Sequence, residues 1–233
     1  MKDLAIIETI LRNRYRFFEE IRDGIGLQEK LRSMLVSTIA FLALYGAVMG
    51  STHSLWQALS SAAKLPILFL ATLIVSSPTL YFFNVLFGSD QSLTQNLLLI
   101  LTAITVTGVL LLSFSPIVLF FLLTTSHYQF FKLLNVAVFA IAGGMGVLFL
   151  SQGMRVVSPV GAGGSDGRTR SRTWVVRFWV LVYGFVGSQM AWTLRPFIGA
   201  PSMKFELFRQ LGGNFYANVL VSLAEILGFA VVK

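Results

Sequence analysis

Cysteine is absent from the 233 residues of this chain. That excludes disulfides, thiolate metal sites and a cysteine nucleophile, and it leaves the redox compartment unreadable from cysteine usage. Charge is nearly as scarce, since Asp, Glu, Lys and Arg make up 12% of the residues, against about 25% in soluble proteins. Between Ser33 and Ser151 only Lys64, Asp90 and Lys132 carry a formal charge. A water-facing surface cannot be built from such a stretch, so these three charges are expected at loops or helix ends. Histidine is limited to His53 and His127. Each falls at the end of an apolar run with no second ligand nearby in sequence, so each reads as an interfacial polar residue and not as a metal or pigment ligand.

What remains is apolar: 55% of the residues, with a mean hydropathy of +0.76. The expected fold is an all-α polytopic transmembrane helix bundle forming a single integral membrane domain. A span needs about 20 apolar residues to cross about 30 Å of hydrocarbon. Runs that qualify are Ser33 to Gly50, Leu65 to Phe87, a third from Leu93 past Ser113, Phe130 to Leu150, and Trp174 to Leu194. Residues Ser51 to Lys64, with Trp56 and Leu59, read as a short interfacial segment. The third run resumes after Ser113, Ser115 and Pro116, so either Pro116 opens a short re-entrant helix or the span is long, kinked and tilted. Trp174 and Trp192 stand about 27 Å apart along a helix, as two interfacial aromatic anchors would. Phe215 to Val232 is a sixth run with one charge, Glu225, and Asn214, Asn218, Ser222 and Glu225 form one polar stripe. Six spans are expected, with five as the alternative if this last run lies at the interface.

Residues 1–32 read as an amphipathic cytoplasmic helix, with Ile7, Ile10, Leu11, Phe18 and Ile21 at near-helical spacing and Glu8 and Arg12 four apart. It either lies on the membrane or a partner, or packs on its own bundle; Gly24 and Gly26 break it before the first span. Its mixed charge does not resemble a cleaved signal, so Met1 is expected to stay in the mature chain. Residues 152–173 read as a flexible basic loop with Arg155, Arg168, Arg170 and Arg172, and 195–213 as an outer-side turn segment rich in Pro and Gly. Placing the N-terminus in the cytoplasm puts both large basic clusters there. The net charge of +8 is then explained by anionic headgroups and not by nucleic acid.

Chemistry-bearing motifs are missing. The Gly-rich stretch Gly161 to Thr169 lacks the spacing, the lysine and the preceding strand of a phosphate-binding loop. No paired carboxylates or histidines fall within the spans, and no catalytic residue, cofactor or metal is expected. The intramembrane polar residues Asn84, Asn135, Gln189 and Glu225 read as interhelical hydrogen-bonding groups, with Glu225 meeting a partner. Small residues at Gly143, Gly144, Gly146, Gly184 and Gly187 let helices approach closely, either within the bundle or at a seam for another subunit or a flat lipid or pigment ring. Arg195, between Trp192 and Pro196, is expected to anchor the end of the fifth span, with the residues after Pro196 folding back along the bundle.

Lys64-Leu65-Pro66-Ile67-Leu68-Phe69, Pro78-Thr79-Leu80-Tyr81 and Asn84 resemble bacterial members of the Yip1-type membrane domain family. Trp192-Thr193-Leu194-Arg195-Pro196-Phe197-Ile198-Gly199, with Phe205, Phe208-Arg209 and Asn214-Phe215-Tyr216, is similar to uncharacterised bacterial membrane proteins, some from photosynthetic lineages. The Yip1 resemblance implies membrane organisation and five spans; neither brings catalytic residues. The expected role is therefore a non-enzymatic accessory, assembly or scaffolding component in the bacterial cytoplasmic membrane or a thylakoid, packing against other membrane proteins as part of a larger complex or homo-oligomer. The alternative is a small transporter or channel using Glu225 and Gln189.

Overall fold

The computed structural model describes residues 2–51, 53–86, 91–125, 127–157, 166–198, 205–208 and 215–227. All regular structure among them is helical: α1 (Lys2–Arg12), α2 (Arg14–Arg22), α3 (Leu27–Gly50), α4 (Leu55–Leu86), α5 (Leu93–Thr124), α6 (Tyr128–Val157), α7 (Asp166–Leu194) and α8 (Phe215–Ile226). Four of these, α3 to α6, are long and apolar enough to cross a membrane. α5 is the most enclosed, with Asn96 and Leu98 to Ile104 buried between α3 and α6.

Several boundaries differ from the sequence expectation, each for a local reason. The N-terminal region is two helices parted at Asn13, where the Phe17 amide caps back onto the Asn13 carbonyl at 3.1 Å. Ile7, Ile10, Phe17, Phe18 and Ile21 turn inward onto the bundle, and Glu8 and Arg12 pair outward at 3.2 Å. Gly24 and Gly26 then take positive φ values of 76° and 63°, which a residue with a Cβ rarely adopts. Residues 55–64 are not a separate interfacial segment but the first turns of α4, which continues for 32 residues through Pro66 and Pro78. Pro78 cannot donate to the Ile74 carbonyl, and the Ser77 hydroxyl donates to that carbonyl at 3.4 Å instead. The third run, by contrast, takes the long-span alternative: it is one continuous helix of 32 residues with Pro116 inside it, about 48 Å long. It opens on a capping box, Ser92 with Gln95, whose satisfied end amides fix where the helix begins. α6 runs on to Val157 and α7 starts at Asp166, so both ends of the stretch read as a loop are helical.

The long helices alternate in direction. At one end Gln95, opening α5, donates to the Ile21 and Arg22 carbonyls of α2, both at 3.0 Å. A Cβ on Gly153, near the end of α6, would meet the Phe18 ring at 2.6 Å. Thus α1 and α2 close the end holding the starts of α3 and α5. α7 lies antiparallel along α4: Trp179 Nε1 donates to the Ser76 carbonyl at 3.0 Å, and Gly187 sits over Thr72. α8 packs on α6 and, less extensively, on α7.

Candidate functional site

Polar groups inside the bundle are used to join helices. The Thr38 and Thr105 hydroxyls lie 2.8 Å apart between α3 and α5. The Tyr45 hydroxyl donates to Asn135 Oδ1 at 2.9 Å, tying α3 to α6, and Thr107 donates across to the Ala142 carbonyl at 3.3 Å. Asn84 Nδ2 reaches Asn96 Oδ1 at 3.0 Å and Gln91 Oε1 at 3.3 Å. Two of the sequence candidates, Asn84 and Asn135, are therefore spent in neutral interhelical pairs.

The most concentrated polar site lies where α7 ends. Arg195–Pro196 is a cis peptide, and the two described segments that follow α7, 195–198 and 205–208, are the non-helical limbs of a strap. The strap lies against one face of α4. Gln57 Nε2 donates to the Pro196 carbonyl at 2.8 Å and the Phe197 carbonyl at 3.3 Å, and Ser61 Oγ donates to Phe197 at 2.6 Å. Lys64 Nζ donates to Pro196 at 3.3 Å and also to the Leu207 carbonyl. The Phe208 ring centroid is 4.8 Å from the same ammonium. Lys64 is 4% exposed, which overturns the expectation of a loop or helix-end charge. Its position within α4 is tolerated because the strap brings acceptors to it. No ion pair among the described residues includes Lys64.

This arrangement depends on how closely α3 approaches α4 from the other side. A Cβ on Gly46 would collide with the Ser61 carbonyl, and one on Gly50 would lie 2.5 Å from the Gln57 carbonyl oxygen and 2.8 Å from Ala58 Cα. Gly46 and Gly50, four apart, thus hold the Gln57 to Ala62 backbone against α3 and leave Gln57, Ser61 and Lys64 facing the strap. Sequence reasoning missed both features. Their signals were present: Gln57, Ser61 and Lys64 at spacings of four and three, and the Gly-x-x-x-Gly pattern at the end of the first span.

The remaining candidates separate. Gly146 is packed, since a Cβ there would lie 2.6 Å from the Ala103 carbonyl of α5, and Gly187 has Thr72 at 3.6 Å from such an atom. Among the described residues nothing lies within 4 Å of a Cβ added at Gly143, Gly144 or Gly184. Arg195 stacks on Trp192, its guanidinium carbon 3.6 Å from the ring centroid. Glu225 is exposed on α8 and lies within electrostatic reach of Lys132, which itself donates to Asn218 Oδ1 at 2.9 Å. Gln189 is not gathered with it. Its neighbour Ser188 meets Tyr216 at the start of α8 at 3.0 Å, about 13 Å along that helix from Glu225. His53 lies in the turn between α3 and α4, and His127 just before α6. Asn214, Asp90, most of the Gly161 to Thr169 stretch and the last residues of the sixth run lie outside the described residues. No family model, curated protein or solved structure matches this chain.

Proposed function

We propose that this protein is a non-enzymatic accessory or scaffolding component of a membrane assembly, inserted as a six-span bundle with its N-terminus in the cytoplasm. In this reading α3 to α6 are joined by α7 as a fifth span and by the apolar stretch 215–232 as a sixth. The described α8 has 12 residues, about 18 Å, so the sixth crossing rests on the continued apolar sequence to Val232. The Yip1-type resemblance agrees with a role in membrane organisation.

The observation that carries the proposal is the contrast among glycines. Gly46, Gly50 and Gly146 are small because a neighbouring helix presses on them. Gly143, Gly144 and Gly184 meet nothing among the described residues, although glycine costs a helix about 1 kcal/mol relative to alanine. Exposed Ile141, Met145 and Leu148 flank the α6 glycines, and Leu181 and Phe185 flank Gly184. Close approach by helices from another subunit gives these small residues a use.

Purification in mild detergent, followed by mass spectrometry, tests this. Recovery with a larger membrane assembly or with further copies of the chain is the expected result, and Gly143→Leu with Gly144→Leu should abolish it while the monomer's melting temperature stays within a few degrees. A lone monomer that conducts ions in liposomes would instead support the transporter reading.

A further inference from the structure

We propose that Lys64 is a tethered cation occupying a carbonyl-lined monovalent-cation site, and that its charge clamps the two limbs of the strap together on α4. Backbone oxygens and an aromatic face are the groups that recognise an ammonium or potassium-like ion. Here the Pro196 and Leu207 carbonyls and the Phe208 ring converge on one ammonium. The two limbs are held differently. Gln57 and Ser61, both neutral, also hold the 195–198 limb. In the 205–208 limb the Leu207 carbonyl and the Phe208 ring both meet Lys64 of α4.

Non-helical backbone at membrane depth needs its carbonyls satisfied by protein. The Leu207 carbonyl receives its donor from Lys64, and a methionine side chain of similar length would not supply one. Truncating the side chain should leave an open site with the size and polarity of a small primary ammonium ion.

Hydrogen–deuterium exchange of the peptide covering 205–208, measured on the full chain in detergent, follows release of that limb from α4, since Lys64 bonds a carbonyl of the limb and not an amide. Lys64→Met, which keeps the stem and loses the charge, should raise exchange in that peptide about tenfold and leave α3 and α5 unchanged. Lys64→Ala should do the same, and millimolar ethylammonium should return it to within about twofold of the wild-type rate, whereas tetramethylammonium, which cannot donate a hydrogen bond, should not. Wild-type protection in Lys64→Met would overturn the proposal, because charge would then be unnecessary. Fast exchange in Lys64→Ala that ignores ethylammonium would overturn it as well, assigning Lys64 to packing alone. If the alanine variant does not fold, the methionine variant decides the matter.

Discussion

Tyr45 is fully buried on α3, and its hydroxyl bonds Asn135 across the α3–α6 gap. In a soluble core the loss of such a bond costs about 1 kcal/mol, with a further penalty for a stranded partner. Between membrane helices the measured average is about 0.6 kcal/mol, with a maximum near 1.7. Asn135 also keeps a second bond, from its Nδ2 to the Phe131 carbonyl at 2.8 Å, so it is not left without partners. Tyr45→Phe should therefore lower stability by about 0.5–1.5 kcal/mol and leave the fold intact, as read by unfolding in a mixed-detergent titration. A loss above about 3 kcal/mol would mean that Asn135 depends on the tyrosine for its position. Asn135 was legible in the sequence as a bonding group because a lone amide in an apolar run has few other uses. Its partner was not, since nothing in the chain order links positions 45 and 135. Lys64 was misread for a related reason: a lone lysine beside a proline looks like a helix start until a distant segment supplies its acceptors.

At the scale of helices, packing outweighs such bonds. Gly46 and Gly50 press the backbone of α3 onto that of α4, and the obstacle to a Cβ is main chain, which cannot swing aside as a side-chain tip would. Overpacking of this kind costs about 1–3 kcal/mol, two or more times the Tyr45 bond. Gly50→Ala should accordingly lower the melting temperature more than Tyr45→Phe does. It should also loosen the strap, because shifting the Gln57 to Ala62 backbone moves the donors at Gln57 and Ser61. Gly143→Ala is the control, with no atom of the described residues within 4 Å of the new Cβ, and should leave the isolated monomer as stable as before or up to about 1 kcal/mol more stable. Helix type and rough position were legible in the apolar runs, which at this length admit little else, but not in the basic stretch 152–173, whose ends are helical. Boundaries were legible only where a residue enforces them, as Gly24, Gly26 and Ser92 do. Pro116 left two readings open, a re-entrant helix or one long span, and the helix runs whole through it with Ser115 and Val118 buried on either side.

For the molecule as a whole, the helix directions place the two ends unambiguously relative to each other, while charge must say which end faces the cytoplasm. One end carries α1 and α2, the starts of α3, α5 and α7 and the end of α6, with Arg12, Arg14, Arg16, Arg22, Arg32 and Arg155. Part of this charge is compensated locally, by Glu8 on Arg12, Glu20 on Arg16 and Asp23 on Arg22, whose hydrogen bond and charge push the Arg22 pKa further up. The sequence adds Arg168, Arg170 and Arg172 in the opening turns of α7. The opposite end carries Lys64 and Lys132, both drawn inward onto carbonyl or amide oxygens, and the strap with Arg195 and Glu206. Retention of positive loops depends on arginine and lysine close to the span ends, and lysines already bonded inside the bundle weigh less in that balance. The first end should therefore be cytoplasmic. Because the chain has no native cysteine, single cysteines report the sidedness without background. On intact cells a membrane-impermeant maleimide should label Ser202→Cys and spare Ser165→Cys, and permeabilising the cells should expose the second. Labelling of Ser165→Cys alone would invert the protein, placing the α1–α2 cap outside and the Lys64 clamp at the cytoplasmic face.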